Sequence, residues 1–156
     1  MKRMDRLIAV IKSIELINDQ SNFLIIGPRT ESDIFKIIYN YPQSKINAID
    51  IISYSPLIDL QDAHQTNFTS NSFDCILSGW VLKYSNNKEK MINEMIRILK
   101  NEGIIAIGFE YFNKQTEAFV GTIKTKNYLG ENHGMYEMNS VNDLTKLLND
   151  NKIKFK

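Results

Sequence analysis

Apolar runs in this chain end repeatedly in residues of the kind that hold ligands. Phe23-Leu24-Ile25-Ile26 runs into Gly27-Pro28-Arg29-Thr30, and residues 46–51 carry Asp50 near their end. Leu57-Ile58-Asp59-Leu60 is followed by Asp62 and His64, and residues 73–77 lead to Ser78-Gly79-Trp80. As parallel strands of an open sheet, these runs would gather such residues in the crevice beyond the strands' carboxyl ends, where the strand order reverses. Gly27, Arg29 and Thr30 would then sit beside Asp50 and Asp62, with Ser78 and Trp80 opposite. Asp50 follows Gly27 by 23 residues, close to the ~20 between a glycine turn and a ribose-binding acid. A carboxylate there accepts both ribose hydroxyl protons in charge-assisted bonds. Its alternative role is a strand-end acid held by turn amides.

Groups for proton transfer are fewer. His64, with an unperturbed pKa of ~6.5, suits a general base at the mouth of the crevice, against the alternative of an ordinary loop histidine. Glu110, the second base candidate, and Tyr111 follow the apolar run 104–109 and face the acceptor side by topology. Trp80 and Tyr84 either stack on a ligand ring or pack for stability. His133, with glycines nearby, belongs either to a closing lid or to an exposed loop. Asp74 reads as a strand-end acid.

The elements that must position these residues follow from periodicity. Leu7, Val10, Ile11, Ile14 and Ile17 fall on one helical face, predicting an amphipathic helix over one edge of the sheet. Thr30 caps the next helix, with Asp33 completing a capping-box-like pair. Ile34, Ile37 and Ile38 form its buried face, and Tyr41-Pro42 ends it. Only eleven residues separate Asp50 from Asp62, and a full crossover needs about a dozen or more. The helix usual at that place is therefore cut to a turn. Met91, Ile92, Met95, Ile96 and Leu99 give one apolar helical face between residues 88 and 100. Asn101-Glu102-Gly103 stops that helix, with Gly103 in the left-handed conformation. Strand, helix and strand in this order demand a parallel pair. Residues 111–140 have weak periodicity; Val141, Leu144, Leu147 and Leu148 mark a last helix, and Ile153 and Phe155 a stub of a sixth strand.

Composition removes whole classes of function. Of 156 residues, 19 are basic and 18 acidic, a net charge of +1 that points to neither nucleic acid nor an anionic membrane. The amino-terminal apolar run, residues 7–11, is broken by Lys12 and too short for a membrane span or a signal core. One cysteine, Cys75, and two histidines preclude an internal disulfide and leave too few ligands for a structural zinc site. A reducing, cytoplasmic setting is expected, with no metal.

The spaced pattern Asp62-Ala63-His64, Asn71-Ser72-Phe73-Asp74-Cys75-Ile76, Val81-Leu82-Lys83-Tyr84 and residues 91–107 (MINEMIRILKNEGIIAI) resembles the second half of a class I S-adenosylmethionine-dependent methyltransferase. The resemblance implies an α/β, three-layer Rossmann-like fold with a mostly parallel sheet, truncated after strand five or six. It implies one domain over residues 1–156, with a cofactor-binding half (23–110) and a variable segment (111–156). It also implies S-adenosyl-L-methionine as cofactor, with Asp62 near the adenine amino group and Gly27 admitting the methionine portion. In the glycine turn, Ile25 stands where relatives carry an acid, and Arg29 and Glu31 stand where they carry glycines. Arg29 either grips an anionic group with its planar fork or folds back on Asp50 or Glu31, filling the cofactor's space. Ser78-Gly79-Trp80-Val81 lacks the Asn-Pro-Pro-aromatic signature of enzymes that methylate nucleic-acid bases.

Three functions fit these observations. The first is methyl transfer to a small-molecule acceptor, with Gly27, Arg29, Thr30, Asp50, Asp62 and Ser78 on the cofactor, and Trp80, Tyr84, Tyr111 and His133 on the acceptor. The second is a cofactor-free binding or scaffolding subunit, joined to a copy of itself or to a partner protein. The third, a nicotinamide-dependent oxidoreductase, lacks the G-x-G-x-x-G turn a pyrophosphate requires.

Overall fold

The apolar runs at residues 23–26 and 73–77 become central strands because both of their faces find cover. The computed structural model describes residues 3–28, 30–108 and 141–150. Along the chain lie α1 (Arg3–Ile11), β1 (Asn22–Ile26), α2 (Glu31–Asn40), β2 (Lys45–Asp50), β3 (Asp59–Leu60), β4 (Phe73–Gly79), a 3-10 turn (Leu82–Tyr84), α3 (Lys88–Ile98), β5 (Leu99–Gly108) and α4 (Val141–Asp150). The strands form one sheet in the order β3-β2-β1-β4-β5, and every pairing is parallel. Strand order therefore reverses between β1 and β4, which sets the ligand crevice at their carboxyl ends.

Side-chain alternation divides the core into two layers. Phe23, Ile25, Cys75 and Leu77 pack with Leu7 and Ile11 of α1 and Ile34 and Ile37 of α2. Leu24, Ile26, Ile49 and Ile76 pack with Met91, Ile92, Met95 and Ile98 of α3 and Leu148 of α4. A strand buried on both faces cannot alternate polar with apolar, which is why β1 and β4 read as continuous apolar runs. Each such buried aliphatic side chain stabilises the fold by about 1.5–3 kcal/mol relative to exposure.

Several local expectations are corrected. β4 runs on through Ser78 and Gly79, so these residues belong to the strand and not to the turn after it. α3 ends at Ile98 and passes directly into β5. The left-handed residue there is Glu102 (φ 65°), not Gly103. Gly103 is required for another reason: a Cβ would lie 2.8 Å from the Leu99 side chain and 2.9 Å from the Lys100 carbonyl. α1 stops at Ile11, short of Ile14 and Ile17, and packs over β4 and the edge strand β5, as expected of a helix covering one edge of the sheet. Val10 (60% exposed) and Ile38 (42%) lie off the buried faces assigned to them. Thr30 does precede α2, but its hydroxyl bonds Ser32, so no capping box forms with Asp33. Between β2 and β3 there is no helix, as the short spacing requires. Ile153 and Phe155 lie outside the described residues.

Candidate functional site

The carboxyl ends of β1, β2 and β3 and the segment after β4 enclose a cleft of about 100 Å³, beside the α3 layer of the core. Gly27, Asp50, Asp62, His64 and Tyr84 line it, among apolar walls that include Ile51, Ala63, Val81 and Met91. That volume is below the ~300–1,000 Å³ of most small-molecule sites. Among the described residues the cleft therefore accommodates one moiety of a ligand, and a flat apolar ring suits its walls.

Five of the predicted site residues thus converge. Gly27 has φ +65°, and a Cβ on it would come within 2.1 Å of Val81 Cγ2. Its glycine is explained by Val81 packed against the turn, so the open approach expected there for a ligand is taken up by a side chain. Asp50 ends β2, and its Oδ1 accepts only a long 3.3 Å bond from the Ile52 amide. Its second oxygen has no protein partner among the described residues, which leaves it able to accept from a ligand. Tyr84, 40% exposed, stands at the rim.

The remaining predicted residues lie elsewhere. Ser78 is fully buried inside β4 and away from the cleft, with its hydroxyl enclosed by the core. Trp80 is also buried, its ring against Gly108, where a Cβ would lie 2.6 Å from it. Its amide donates to the Gly108 carbonyl at 2.7 Å. Trp80 is thus a packing residue across the β4–β5 tips instead of a wall of the cleft. Thr30 is exposed and turned to Ser32. Arg29, Glu110, Tyr111 and His133 lie outside the described residues. Of the two carboxylates proposed to capture Arg29, Glu31 already accepts the Ser55 hydroxyl. Asp74 is the strand-end acid expected of it, accepting from the Asn22 amide and from Lys100 through both oxygens. Burial pushes the Cys75 thiol up to about 12, so this cysteine is no nucleophile.

Sequence reasoning missed Ser85. It is buried at the cleft wall, and its hydroxyl lies 2.7 Å from His64 Nε2. His64 Nδ1 lies 2.6 Å from Asp62 Oδ1, which also accepts the His64 amide at 2.8 Å. The amide bond, then the ring bond, hold the Asp62 carboxyl below the ordinary carboxylate range despite some burial. Asp62 itself remains 61% exposed, so its other oxygen faces solvent and cleft. Both ring nitrogens of His64 are engaged, which leaves neither open to an acceptor. Sequence reasoning also missed Glu94 and Thr66. Glu94 accepts the Thr66 amide and hydroxyl and pairs with Arg97, pinning the loop beyond His64 to α3. The Glu94–Arg97 spacing of three was the available signal; Thr66 and Ser85 gave none.

Residues 40–107 match the methyltransferase domain family. Over that stretch, 68 of the 156 residues, the chain is similar to methyltransferase domains. Its fold is shared with the YcgJ protein from Bacillus subtilis, at 16% identity and TM-score 0.75, over 97% of this chain and 69% of that one. It is also similar to a Galdieria sulphuraria protein described as a sarcosine dimethylglycine methyltransferase (18% identity, TM-score 0.60, 67% of this chain and 45% of that one). A third is the Haemonchus contortus phosphoethanolamine N-methyltransferase 2, determined with S-adenosylhomocysteine (13% identity, TM-score 0.67, 94% and 36%). The methyltransferase-like chain thus spans less than half the length of the last two. No curated protein matches the sequence.

Proposed function

We propose that this methyltransferase-like protein binds S-adenosylmethionine in the cleft and transfers its methyl group to a small-molecule acceptor. The observation that carries the reading is a pair of half-open carboxylates, Asp50 and Asp62, at the tips of neighbouring strands on either side of apolar walls. Asp50 is placed to accept ribose hydroxyl protons, and Asp62 to accept from an exocyclic amine such as that of adenine. Ile51, Ala63 and Val81 supply the apolar surface against which a purine ring rests.

When bound, the sulfonium supplies an activated methyl group. The chain's own task is alignment of acceptor, methyl carbon and sulfur with water kept out, which needs no strong acid or base. Tyr84 at the rim is the described residue best placed to contact an acceptor. Glu110, Tyr111, His133 and Arg29 are proposed to complete the acceptor side and the methionine end. A near-neutral net charge of +1 supports a small acceptor over nucleic acid or a membrane surface. Among the described residues no helix is long and apolar enough to cross a membrane.

Isothermal titration with S-adenosylmethionine and S-adenosylhomocysteine tests the reading. Saturable binding that Asp50→Asn weakens about tenfold is expected, since a hydrogen bond to a charged group contributes about 1.5–3 kcal/mol. No heat at millimolar ligand would remove it.

A further inference from the structure

His64 was a candidate base, but its surroundings give it a different part. The ring spans the mouth of the cleft from the turn after β3 to the segment after β4, bonded at both nitrogens. A carboxylate only accepts, so the proton sits on Nδ1, and Nε2 accepts the Ser85 hydroxyl. Ser85 is in turn fixed from behind: its oxygen accepts the Asn87 amide at 3.1 Å, and Asn87 caps α3 through the Lys90 amide. Asp62 Oδ1 is fully taken by the His64 amide and ring, and only Oδ2 is left for a ligand. The charged and titratable groups around the ring are Asp62 on its own turn, Lys90 on α3, Asp50 on β2 and Tyr84 beside Ser85.

We propose that His64 is a positioning residue: a latch that ties Asp62 to Ser85 and the start of α3, so that one carboxylate oxygen is held toward the amine of a bound purine. This rests on the adenosyl-binding reading and adds what selects the base. A free aspartate on an exposed turn rotates and meets water or ligand with either oxygen. A latched one presents a fixed acceptor, which favours a 6-amino purine and rejects a 6-oxo purine, whose carbonyl would oppose it.

The test compares S-adenosylhomocysteine with its deaminated analogue, S-inosylhomocysteine, by titration on wild type, His64→Phe, His64→Asn and Ser85→Ala. Wild type prefers the adenosyl compound. His64→Phe keeps ring bulk without donors and loses about tenfold of that preference. His64→Asn, which still donates to Asp62, recovers part of it, and Ser85→Ala falls between. Nitrogen-15 shifts of the His64 ring report the Nδ1-protonated form in wild type and a change in Ser85→Ala.

If His64→Phe and Ser85→Ala bind both compounds as wild type does, or the ring carries its proton on Nε2, the latch is overturned while the adenosyl reading stands. If wild type binds neither compound, the adenosyl reading falls and the latch with it. Should His64→Phe fail to fold, Ser85→Ala and the ring shifts decide.

Discussion

Glu94 and Asp62 are both carboxylates held by hydrogen bonds at the two ends of one short loop, and they differ in what is left over. Glu94 is 9% exposed and accepts four bonds: two from Thr66 and two from the Arg97 guanidinium. Asp62 is 61% exposed, and both of its side-chain bonds from His64 fall on one oxygen. A carboxylate whose lone pairs are all used inside the protein anchors the fold; one with an oxygen to spare can hold a ligand. Asp50 stands with Asp62, and Asp74, bound to Asn22 and Lys100, stands with Glu94.

Gly27 provides the largest way to break that division. It lines the cleft, yet its contact with Val81 puts it on the anchoring side. Gly27→Ala is expected to cost about 3 kcal/mol in urea unfolding, from the left-handed backbone and the Val81 overlap together. Adding Val81→Ala should return the overlap part; if it returns nothing, the whole cost belongs to the left-handed backbone at Gly27.

Glu94→Ala comes next, at about 2 kcal/mol, because Thr66 and Arg97 lose their acceptor but Arg97 can still reach water. A loss under half of that in chemical denaturation would mean that the network is ornamental. Acid sharpens the same contrast. Arg97, with Thr66, lowers the Glu94 carboxyl from 4.5 to about 2. A pKa depressed by folding gives stability that is complete above the unfolded value and lost as pH falls from about 4.5 toward 2. Stability against pH should therefore drop across that window in wild type and run flatter in Glu94→Gln. The smallest effect belongs to Asp50→Asn, whose melting should stay within ~0.5 kcal/mol of wild type while adenosyl binding weakens. A large stability loss there would move Asp50 to the anchoring class.

Legibility followed the same division. β1, β4, α3 and the parallel order were readable because apolar period and turn residues are local properties of the chain. That Asp50 and Asp62 come to the cleft at the strand tips was readable from strand ends and spacing. Ser78 and Trp80 were misplaced because the apolar run was taken to end at Leu77; two more residues of strand carried both into the packed interior. Ser85 was invisible, since a serine followed by two asparagines reads as an ordinary turn.

The sequence by itself determined the architecture: buried parallel strands need uninterrupted apolar runs, and the eleven residues between Asp50 and Asp62 leave no room for a helix. Only the tertiary structure decided which polar groups are consumed and which stay open. Hydrogen bonds such as His64 to Ser85, or Glu94 to Thr66, join residues 21 and 28 positions apart. No local pattern encodes them, because the sheet that brings their loops together is built from strands elsewhere in the chain.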